Sequence, residues 1–382
     1  MKLLRCIAAV LILTAATLPG AKHANAETPE ASLAVMPSRS FWLDKTMTDE
    51  PVFFITKGGI TSASLLFPPT KILRLTYWDG DKRVTLREGR DFTWTRKSDV
   101  VTLMPGTGAP SKTWEQMHPA AGSPMSIGAA IGGQSNLFWS EGRVFHDQQA
   151  LVTYEHKGTW TPPAAPVPAG NVRGTIAQLK TKEPFKLVVL GDSISAGYNA
   201  SGFVMAPPMQ PPYAVLVANT LQERFGSPVT LTNLSVAGKH SDWGVEMVPK
   251  VLEEHPDLVI LAFGMNDGSG GVTPGAYAAN IKAIMDGVRA SAANCSFVLV
   301  APMTGNPEWT GAATDLYPKY RDALASLTGS GTALADVTSV WISILTHKKF
   351  TDITGNGVNH PNDFGHRIYA SVILSLFPAG WK

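Results

Sequence analysis

Apolar and polar positions follow two different periods along this 382-residue chain. Over residues 30–156, short runs alternate between apolar and polar residues, and turn-forming residues separate them. These runs predict strands at residues 73–78, 83–86, 92–95, 100–104 and 149–154. Asp79-Gly80, between the first two runs, predicts a hairpin turn. The first half of the chain is therefore predicted to be an antiparallel β-sandwich.

The second half of the chain changes period, because short apolar runs alternate there with stretches of helical period. Strands are predicted at residues 185–190, 229–233, 257–263, 296–300 and 332–336. Helices are predicted at residues 212–225, 241–254, 275–293, 315–328, 337–347 and 362–376. Such alternation is typical of a parallel sheet with helices on both faces. Five strands predict a flavodoxin-like three-layer α/β/α sandwich.

A proline-rich segment separates the two halves. Between Gly158 and Gly170 the chain reads Thr-Trp-Thr-Pro-Pro-Ala-Ala-Pro-Val-Pro-Ala, which cannot pair as a central strand. A chain of this length is too long for one ordinary core, so two domains are expected. The expected division is a signal peptide at 1–26, a β-sandwich accessory domain at 27–157, a linker at 158–182 and an α/β domain at 183–382.

The first residues have the pattern of an export signal. Lys2 and Arg5 are followed by apolar residues up to position 18, and Ala24-Asn-Ala26 is a small-x-small cleavage site. The apolar stretch is too short to span a membrane, and no later run is long enough. We therefore expect cleavage after Ala26 and a secreted or periplasmic protein. An uncleaved membrane anchor is the alternative.

Charge and cysteine content narrow the class of protein further. Removing Lys2, Arg5 and Lys22 from the 32 basic residues leaves 29, against 30 acidic ones. This near-neutral balance argues against nucleic acid or an anionic membrane surface as a partner. One of the two cysteines, Cys295, remains in the mature chain, which excludes an internal disulfide. No metal-binding motif is present.

Four candidate catalytic residues lie at the ends of predicted elements in the α/β half. Ser193, Gly238 and Asn266 follow the first, second and third strands, and His360 precedes the last helix. Ligands bind beyond the carboxyl ends of strands in such sheets, so these residues are expected to meet. A serine hydroxyl and an imidazole make a nucleophile and its base. The backbone N–H groups of Ser193 and Gly238 and the amide of Asn266 are candidate oxyanion donors.

These residues lie in motifs with a recognisable order. Gly191-Asp-Ser-Ile-Ser195, Gly238, Gly264-Met-Asn-Asp267 and His360-Pro361 resemble blocks I, II, III and V of the SGNH hydrolases, also called the GDSL lipase/esterase superfamily. The resemblance covers about residues 183–382 and leaves the β-sandwich and the linker outside. It implies ester hydrolysis through an acyl-serine, with Ser193 as nucleophile and His360 as base. It also implies no metal and no cofactor.

The chain departs from the family pattern at the acid of the triad. The family places an aspartate three residues before its histidine, and the residue here is Gly357. Asp352 is the first candidate for a replacement. A Ser–His dyad is the second possibility, with Asn356 or a backbone carbonyl orienting the imidazole. The third is Asp363, which is better explained as a favourable charge at the start of the last helix.

Other polar residues near the motifs have structural explanations. Asp192 and Asp267 are expected to be turn and capping residues, and Asp336 is expected to cap the helix that follows it. His366 is expected to be structural. Trp309, which follows the fourth strand, is expected either to form a wall of the substrate site or to pack in the core.

The expected substrate is an O-acyl ester, and an O-acetylated sugar or polysaccharide is the first candidate. Export, the accessory β-domain and the family resemblance favour it. The alternatives are a lipase or arylesterase for small esters, an exported polysaccharide O-acetyltransferase, and a non-catalytic carbohydrate-binding protein. The apolar loop 204–212 is a candidate rim of the cleft. A sugar-stacking face could be built from Trp42, Trp78, Trp94 and Trp139, although the core is the simpler place for most of them.

Overall fold

The computed structural model of the protein describes residues 36, 40–128, 132–133, 135–158, 160 and 171–378. The predicted signal peptide and residues 161–170 of the predicted linker lie outside this part of the chain. Within the described residues, no helix combines the length and the apolar character that a membrane crossing requires.

The described residues of the first half of the chain form a series of strands and two short helices. The strands are β1 (Thr46–Val52), β2 (Ile55–Lys57), β3 (Ile60–Ser64), β4 (Pro69–Asp79), β5 (Lys82–Leu86), β6 (Phe92–Trp94), β7 (Val100–Leu103), β8 (Lys112–Thr113), β9 (Ser126–Ile127), β10 (Leu137–Phe138) and β11 (Ala150–His156). The helices are α1 (Trp114–Met117) and α2 (Val144–Gln148). One sheet has the order β1-β11-β4-β5 and a second has the order β6-β7-β3-β2-β8, while β9 pairs with β10.

The two larger sheets have the antiparallel character that alternation predicts, apart from the parallel pair β2–β8. Val52 and Val152 from the first sheet and Val101 from the second are buried in one hydrophobic cluster. The predicted hairpin is confirmed, because β4 pairs with β5 and Gly80 adopts a φ of 59° in the turn. The predicted β-sandwich is thus confirmed.

The second half of the chain alternates strands and helices. The strands are β12 (Phe185–Gly191), β13 (Val229–Asn233), β14 (Leu258–Ala262), β15 (Ser296–Ala301) and β16 (Thr332–Asp336). The helices are α3 (Arg173–Lys180), α4 (Ser193–Ala196), α5 (Tyr213–Phe225), α6 (Ser241–Glu246), α7 (Val248–Glu253), α8 (Met265–Ser269), α9 (Pro274–Ser291), α10 (Tyr317–Ala325), α11 (Val337–Leu345), α12 (Phe350–Ile353) and α13 (Asp363–Leu374).

The five strands of the second half form one parallel sheet of order β13-β12-β14-β15-β16. All residues of β14 and β15 are buried, which explains their unbroken apolar sequences, whereas the edge strand β13 is partly exposed. Helix α5 packs against α13, and α9 packs against α6, α7 and α10. The predicted flavodoxin-like sandwich is confirmed. Gly191 pairs with Ala262, so β12 and β14 end side by side.

One predicted helix differs in the structure. Residues 241–254 form two helices, α6 and α7, that meet at Met247. Pro249 lies in the first turn of α7, where its missing N–H costs nothing. A continuous helix would have placed its ring against the carbonyl of Val245 and removed an internal hydrogen bond. The proline therefore starts a new helix.

The two halves of the chain share buried contacts. Buried residues from both belong to a single hydrophobic cluster. Glu50 of β1 and Lys348, which follows α11, are fully buried and form an ion pair with a distance of 2.6 Å. The four tryptophans proposed for sugar stacking pack in different surroundings. Trp78 lies in β4, with the guanidinium of Arg83 5.6 Å from its ring centroid. Trp42 and Trp94 pack in or against the main cluster, while Trp139 packs in a separate cluster near the candidate active site.

Candidate active site

Ser193 and His360 meet at the carboxyl edge of the parallel sheet. Ser193 is the first residue of α4, directly beyond the end of β12. Its Oγ lies 2.9 Å from Nε2 of His360. Both residues are buried, with exposures of 5% and 6%. This is the geometry in which a serine hydroxyl donates its proton to an imidazole nitrogen.

The turn that presents Ser193 depends on close packing at Gly191. A Cβ at this position would collide with the carbonyl oxygen of Ala262 and with the side chain of Ser195. Asp192 then caps α4, because its carboxylate accepts a hydrogen bond from the N–H of Ile194 at 3.0 Å. The predicted capping role of Asp192 is confirmed. The tight turn at Gly191 and the cap at Asp192 therefore fix the position of Ser193 at the start of α4.

His360 is held by a loop that folds around Asn356. The Oδ1 atom of Asn356 accepts backbone N–H groups from Val358, Asn359 and His360 at 3.0, 3.1 and 3.1 Å. These three donors fix the orientation of the Asn356 amide, so its Nδ2 group points toward the imidazole. The loop therefore sets the position of His360 before the start of α13.

The other imidazole nitrogen, Nδ1, faces two acceptors. The Oδ1 atom of Asn199 lies 2.8 Å away, and the carboxylate of Glu141 lies 3.3 Å away. The Nδ2 group of Asn356 is also near, at 3.1 Å, but it donates its hydrogens to Glu141 and Asn359 at 2.9 Å each. This network favours the tautomer with the proton on Nδ1, which leaves Nε2 free to accept the proton of Ser193.

Glu141 was not predicted from the sequence. It lies in the first half of the chain, 219 positions before His360, and no motif links the two. Its side chain is 41% exposed. Burial alone would raise the pKa of Glu141, but the hydrogen bond and charge of His360, with the amides of Asn356 and Asn199, lower it overall. The carboxylate is therefore ionised near neutral pH.

The structure does not bring either predicted aspartate to the imidazole. The carboxylate of Asp352 accepts the backbone N–H groups of Phe53 and Lys349, at 2.7 and 3.1 Å. Asp363 accepts the N–H of Ser201 at 2.7 Å in the first turn of α13. These placements correct the expectation that Asp352 is the acid. Burial raises the pKa of Asp352, and its hydrogen bonds serve the contact between β1 and α12.

The candidate oxyanion donors lie on both sides of Ser193. Gly238 follows β13, and Asn266 lies in α8 after β14; these two strands flank β12. The Nδ2 group of Asn266 donates to the carbonyl of Lys239 at 3.1 Å, which places the amide next to Gly238. Gly238 has a φ of 74°, a conformation that favours glycine. One hydrogen of the Asn266 amide remains for an oxyanion.

Buried acids behind the nucleophile have structural partners. Burial, with the charge of Asp267 as a smaller cause, raises the pKa of Asp192 to about 7. Asp267 accepts the N–H of Ser241 at 3.1 Å and also binds its hydroxyl. Asp336 caps α11 through the N–H of Ser339 at 2.9 Å, as predicted. In the described structure, none of these carboxylates is hydrogen-bonded to the hydroxyl of Ser193 or to the imidazole of His360.

Aromatic side chains lie beside His360 and the loop that precedes it. The ring of Tyr198 packs edge-on against His360 with centroids 5.3 Å apart, and the half-exposed ring of Phe203 packs against Tyr198 at 4.7 Å. Trp139 and Trp309 pack around Val358, two residues before His360. Trp309 therefore contributes to the packing of the catalytic loop, in agreement with one of its two expected roles.

Comparison with known proteins agrees with this arrangement. Residues 189–368 match the model of the GDSL-like Lipase/Acylhydrolase family. An arylesterase of Vibrio mimicus is 32% identical over 139 residues, which is 36% of this chain and 66% of that protein. Thioesterase 1/protease 1/lysophospholipase L1 of Escherichia coli (strain K12) is 28% identical over 135 residues, which is 35% of this chain and 60% of that protein.

Among solved structures, a two-domain esterase active on acetylated mannans is 21% identical, with a TM-score of 0.44; the match covers 56% of this chain and 55% of that one. The chain thus spans about 66% of the arylesterase and less of the other two proteins. The family match contains Ser193, Gly238, Asn266 and His360. The C-terminal part of this chain belongs to the GDSL-like lipase/acylhydrolase family.

Proposed function

We propose that the protein is an exported serine esterase that removes short acyl groups, acetyl above all, from O-acylated carbohydrate. The observation that carries the proposal is the 2.9 Å contact between Ser193 Oγ and His360 Nε2, inside a GDSL-like domain. In this proposal Ser193 is the nucleophile and His360 is the general base and acid.

The first half of the reaction forms an acyl-enzyme. Ser193 Oγ attacks the carbonyl carbon of the ester while its proton moves to Nε2 of His360. The N–H groups of Ser193 and Gly238 and the amide of Asn266 stabilise the negative oxygen of the tetrahedral intermediate. Collapse of this intermediate breaks the ester C–O bond, and the leaving sugar oxygen takes the proton from His360.

The second half of the reaction regenerates the enzyme. A water molecule gives its proton to Nε2 of His360 and attacks the acyl-serine carbonyl. The same donors stabilise the second tetrahedral intermediate. Its collapse releases the carboxylic acid, and Ser193 Oγ recovers its proton from His360.

The carbohydrate part of the proposal is supported by the surroundings of the site and by the predicted signal peptide. Tyr198 and Phe203 form an aromatic pair beside His360, and Trp139 packs at the catalytic loop. Aromatic rings offer large, rigid apolar surfaces for a substrate that also carries polar groups. An exported enzyme has access to polysaccharide outside the cytoplasm.

A small-ester arylesterase is the second candidate function. The 32% identity with the Vibrio mimicus arylesterase favours it. The two candidates use the same catalytic residues and differ in the alcohol that leaves: a sugar hydroxyl in the first case and a phenol in the second.

A substrate panel separates these candidates. Purified full-length protein is incubated with acetylated xylan, acetylated monosaccharides and p-nitrophenyl esters of increasing acyl length, with Ser193→Ala as the control. We expect free acetate from the acetylated sugars and a rate that falls as the acyl chain lengthens. Turnover confined to aryl esters supports the arylesterase. Acetyl groups recovered on added sugar instead of as acetate indicate an acetyltransferase.

A further inference from the structure

The position of the usual family acid is closed to a side chain in this protein. Gly357 has a φ of 96°, a conformation that L-residues rarely adopt. A Cβ at Gly357 would also collide with the carbonyl oxygen of Phe138 and with the ring of Phe145. Both of these residues come from the first half of the chain. An aspartate at position 357 is therefore incompatible with the way the two halves pack.

The residues that close this position, Phe138 and Phe145, lie on either side of Glu141 in the sequence. We call residues 137–142 the Glu141 segment. Leu137 and Phe138 anchor it, because they are 3% and 5% exposed. The N–H of Ser140 donates to the carbonyl of Asn356 at 3.3 Å, so the segment is bonded to the catalytic loop. The segment thus covers the place of the usual acid and brings another carboxylate to the same imidazole.

The second acceptor at Nδ1 of the imidazole, Asn199, is also held in a fixed position. Asn199 has a φ of 60° and is almost fully buried, and its Nδ2 group donates to the carbonyl of Gly355 at 3.0 Å. Its backbone carbonyl accepts a hydrogen bond from His146 of α2 at 3.0 Å. The Oδ1 atom of Asn199 is therefore turned toward Nδ1 of His360, and the first half of the chain supports this contact too.

From this geometry we propose that Glu141, supplied by the first half of the chain, is the acid that orients His360 and stabilises its protonated form. Asn199 shares the Nδ1 proton as a neutral acceptor. Glu141 is a positioning residue, because it acts on the substrate only through the imidazole. The β-sandwich half is then part of the catalytic unit. This inference rests on the proposed serine esterase mechanism.

The charges around His360 make the inference testable. Glu141 and Tyr198 are titratable residues that contact the imidazole in the described structure. Two more histidines lie behind it: His366, whose charge would interact with that of His360, and His146, which hydrogen-bonds the backbone carbonyl of Asn199. Burial lowers the pKa of His366 to about 4, so this histidine is neutral at working pH. Glu141 is the carboxylate of the group. Its removal should therefore destabilise the imidazolium and shift the acid limb of the pH profile of kcat/KM.

The experiment compares full-length Glu141→Gln, Glu141→Asp and Asp147→Asn with the parent protein. Asp147 is the matched control, because it lies on the neighbouring α2 and pairs with Arg143 at 3.0 Å. We expect Glu141→Gln to lose about 10²-fold in kcat, with little change in KM. We also expect its acid limb to move about one unit to lower pH. Glu141→Asp should keep the acid limb near the parent position, and Asp147→Asn should match the parent.

The outcomes separate this inference from the proposed function. An unchanged acid limb in Glu141→Gln overturns the role of Glu141, whether activity is retained or lost. Ser193→Ala is measured in the same series. If Ser193→Ala hydrolyses the ester as well as the parent does, the serine mechanism itself fails. NMR titration of the histidine ring of residue 360 in parent and Glu141→Gln protein gives the same comparison without any substrate: a lower titration midpoint in the variant supports the role of Glu141, and an unchanged midpoint contradicts it.

Discussion

The side chain of Asn266 is bonded next to Gly238, the other candidate oxyanion donor outside α4. Its amide donates one hydrogen to the carbonyl of Lys239, the residue after Gly238. The amide therefore has a fixed orientation before the substrate binds. A preorganised donor of this kind stabilises the transition state without paying a reorganisation cost during the reaction.

Asn266→Ala should lower kcat by about 10²- to 10³-fold, because it removes one donor to the oxyanion. KM should change little, since this hydrogen bond is strongest in the transition state. Steady-state kinetics on p-nitrophenyl acetate measures both constants, and circular dichroism checks the fold. A decrease of only a few-fold would place Asn266 outside the oxyanion hole.

At the scale of single residues, the sequence was most informative for catalytic residues that directly follow a predicted strand. Ser193, Gly238 and Asn266 each follow a strand, so their common edge of the sheet could be predicted. The partners of Nδ1 could not. Glu141 comes from a distant segment, and Asn199 contacts His360 through a left-handed backbone conformation that has no clear sequence pattern. Asp352 was a misleading candidate because its short distance along the chain does not bring it to the imidazole.

At the scale of elements, His366 of α13 forms hydrogen bonds with the loop after α4 and with the start of α5. The Nδ1 atom of His366 accepts the N–H of Tyr213 at 3.3 Å, and its Nε2 group donates to the carbonyl of Tyr198 at 3.1 Å. His366 is fully buried, as its expected structural role requires. Burial lowers its pKa to about 4, from an ordinary value of 6.5. The folded protein therefore needs this histidine neutral.

This requirement gives a pH dependence of stability with a definite sign. The unfolded chain binds a proton at residue 366 below about pH 6.5, while the folded chain does so only near pH 4. Stability should thus decrease as the pH falls through this window, by about 3 kcal/mol from this histidine. Urea unfolding at several pH values measures it. In His366→Gln the decrease should be smaller by about that amount, and an equal slope in both proteins would contradict the assignment.

Strands could be predicted from the sequence where all of their residues are buried. The central strands β14 and β15 are apolar throughout because both faces are covered. Strands β1 to β3 and the two-residue strands β8, β9 and β10 were not predicted. β1 contains Asp49, Glu50 and Pro51, which are unfavourable in an ordinary strand. The structure explains the glutamate, whose charge is balanced by Lys348 across the fold.

At the scale of the whole molecule, a buried polar network joins β1 to the end of α11. Lys348 Nζ lies 2.6 Å from Glu50 and 3.8 Å from Asp352. Glu50 also accepts the N–H of Leu66 at 2.8 Å and the hydroxyl of Tyr154 at 2.6 Å. Such a network is costly to break, because each remaining charge would be buried without its partner. The network therefore joins the first half of the chain to the α/β half through buried charges.

Lys348→Met should destabilise the protein by about 3–5 kcal/mol, because it leaves Glu50 buried without a counter-ion. The double variant Lys348→Met/Glu50→Gln should recover part of this loss. Urea unfolding, followed by tryptophan fluorescence and by circular dichroism, measures the free energy of unfolding. A change below about 0.5 kcal/mol in the single variant would show that the pair contributes nothing to the contact between the halves.

The two-period pattern of the sequence was enough to predict both architectures. The packing of the two halves against each other was not predictable. It depends on the ion pair between Lys348 and Glu50 and on the contact of the Glu141 segment with Gly357. These contacts join residues that are far apart along the chain. The local pattern of apolar and polar residues therefore predicts the fold of each half. The contacts that complete the active site depend on packing between the halves and cannot be predicted from that pattern.

Covalent labelling tests the central claim most directly. The full-length protein is treated with an organophosphonate ester, which is attacked by an activated serine, and the modified peptide is identified by mass spectrometry. The account predicts a single adduct on Ser193, abolished in Ser193→Ala and strongly slowed in His360→Ala. An adduct on another residue, or parent-like hydrolysis of acetyl esters by Ser193→Ala, would contradict it.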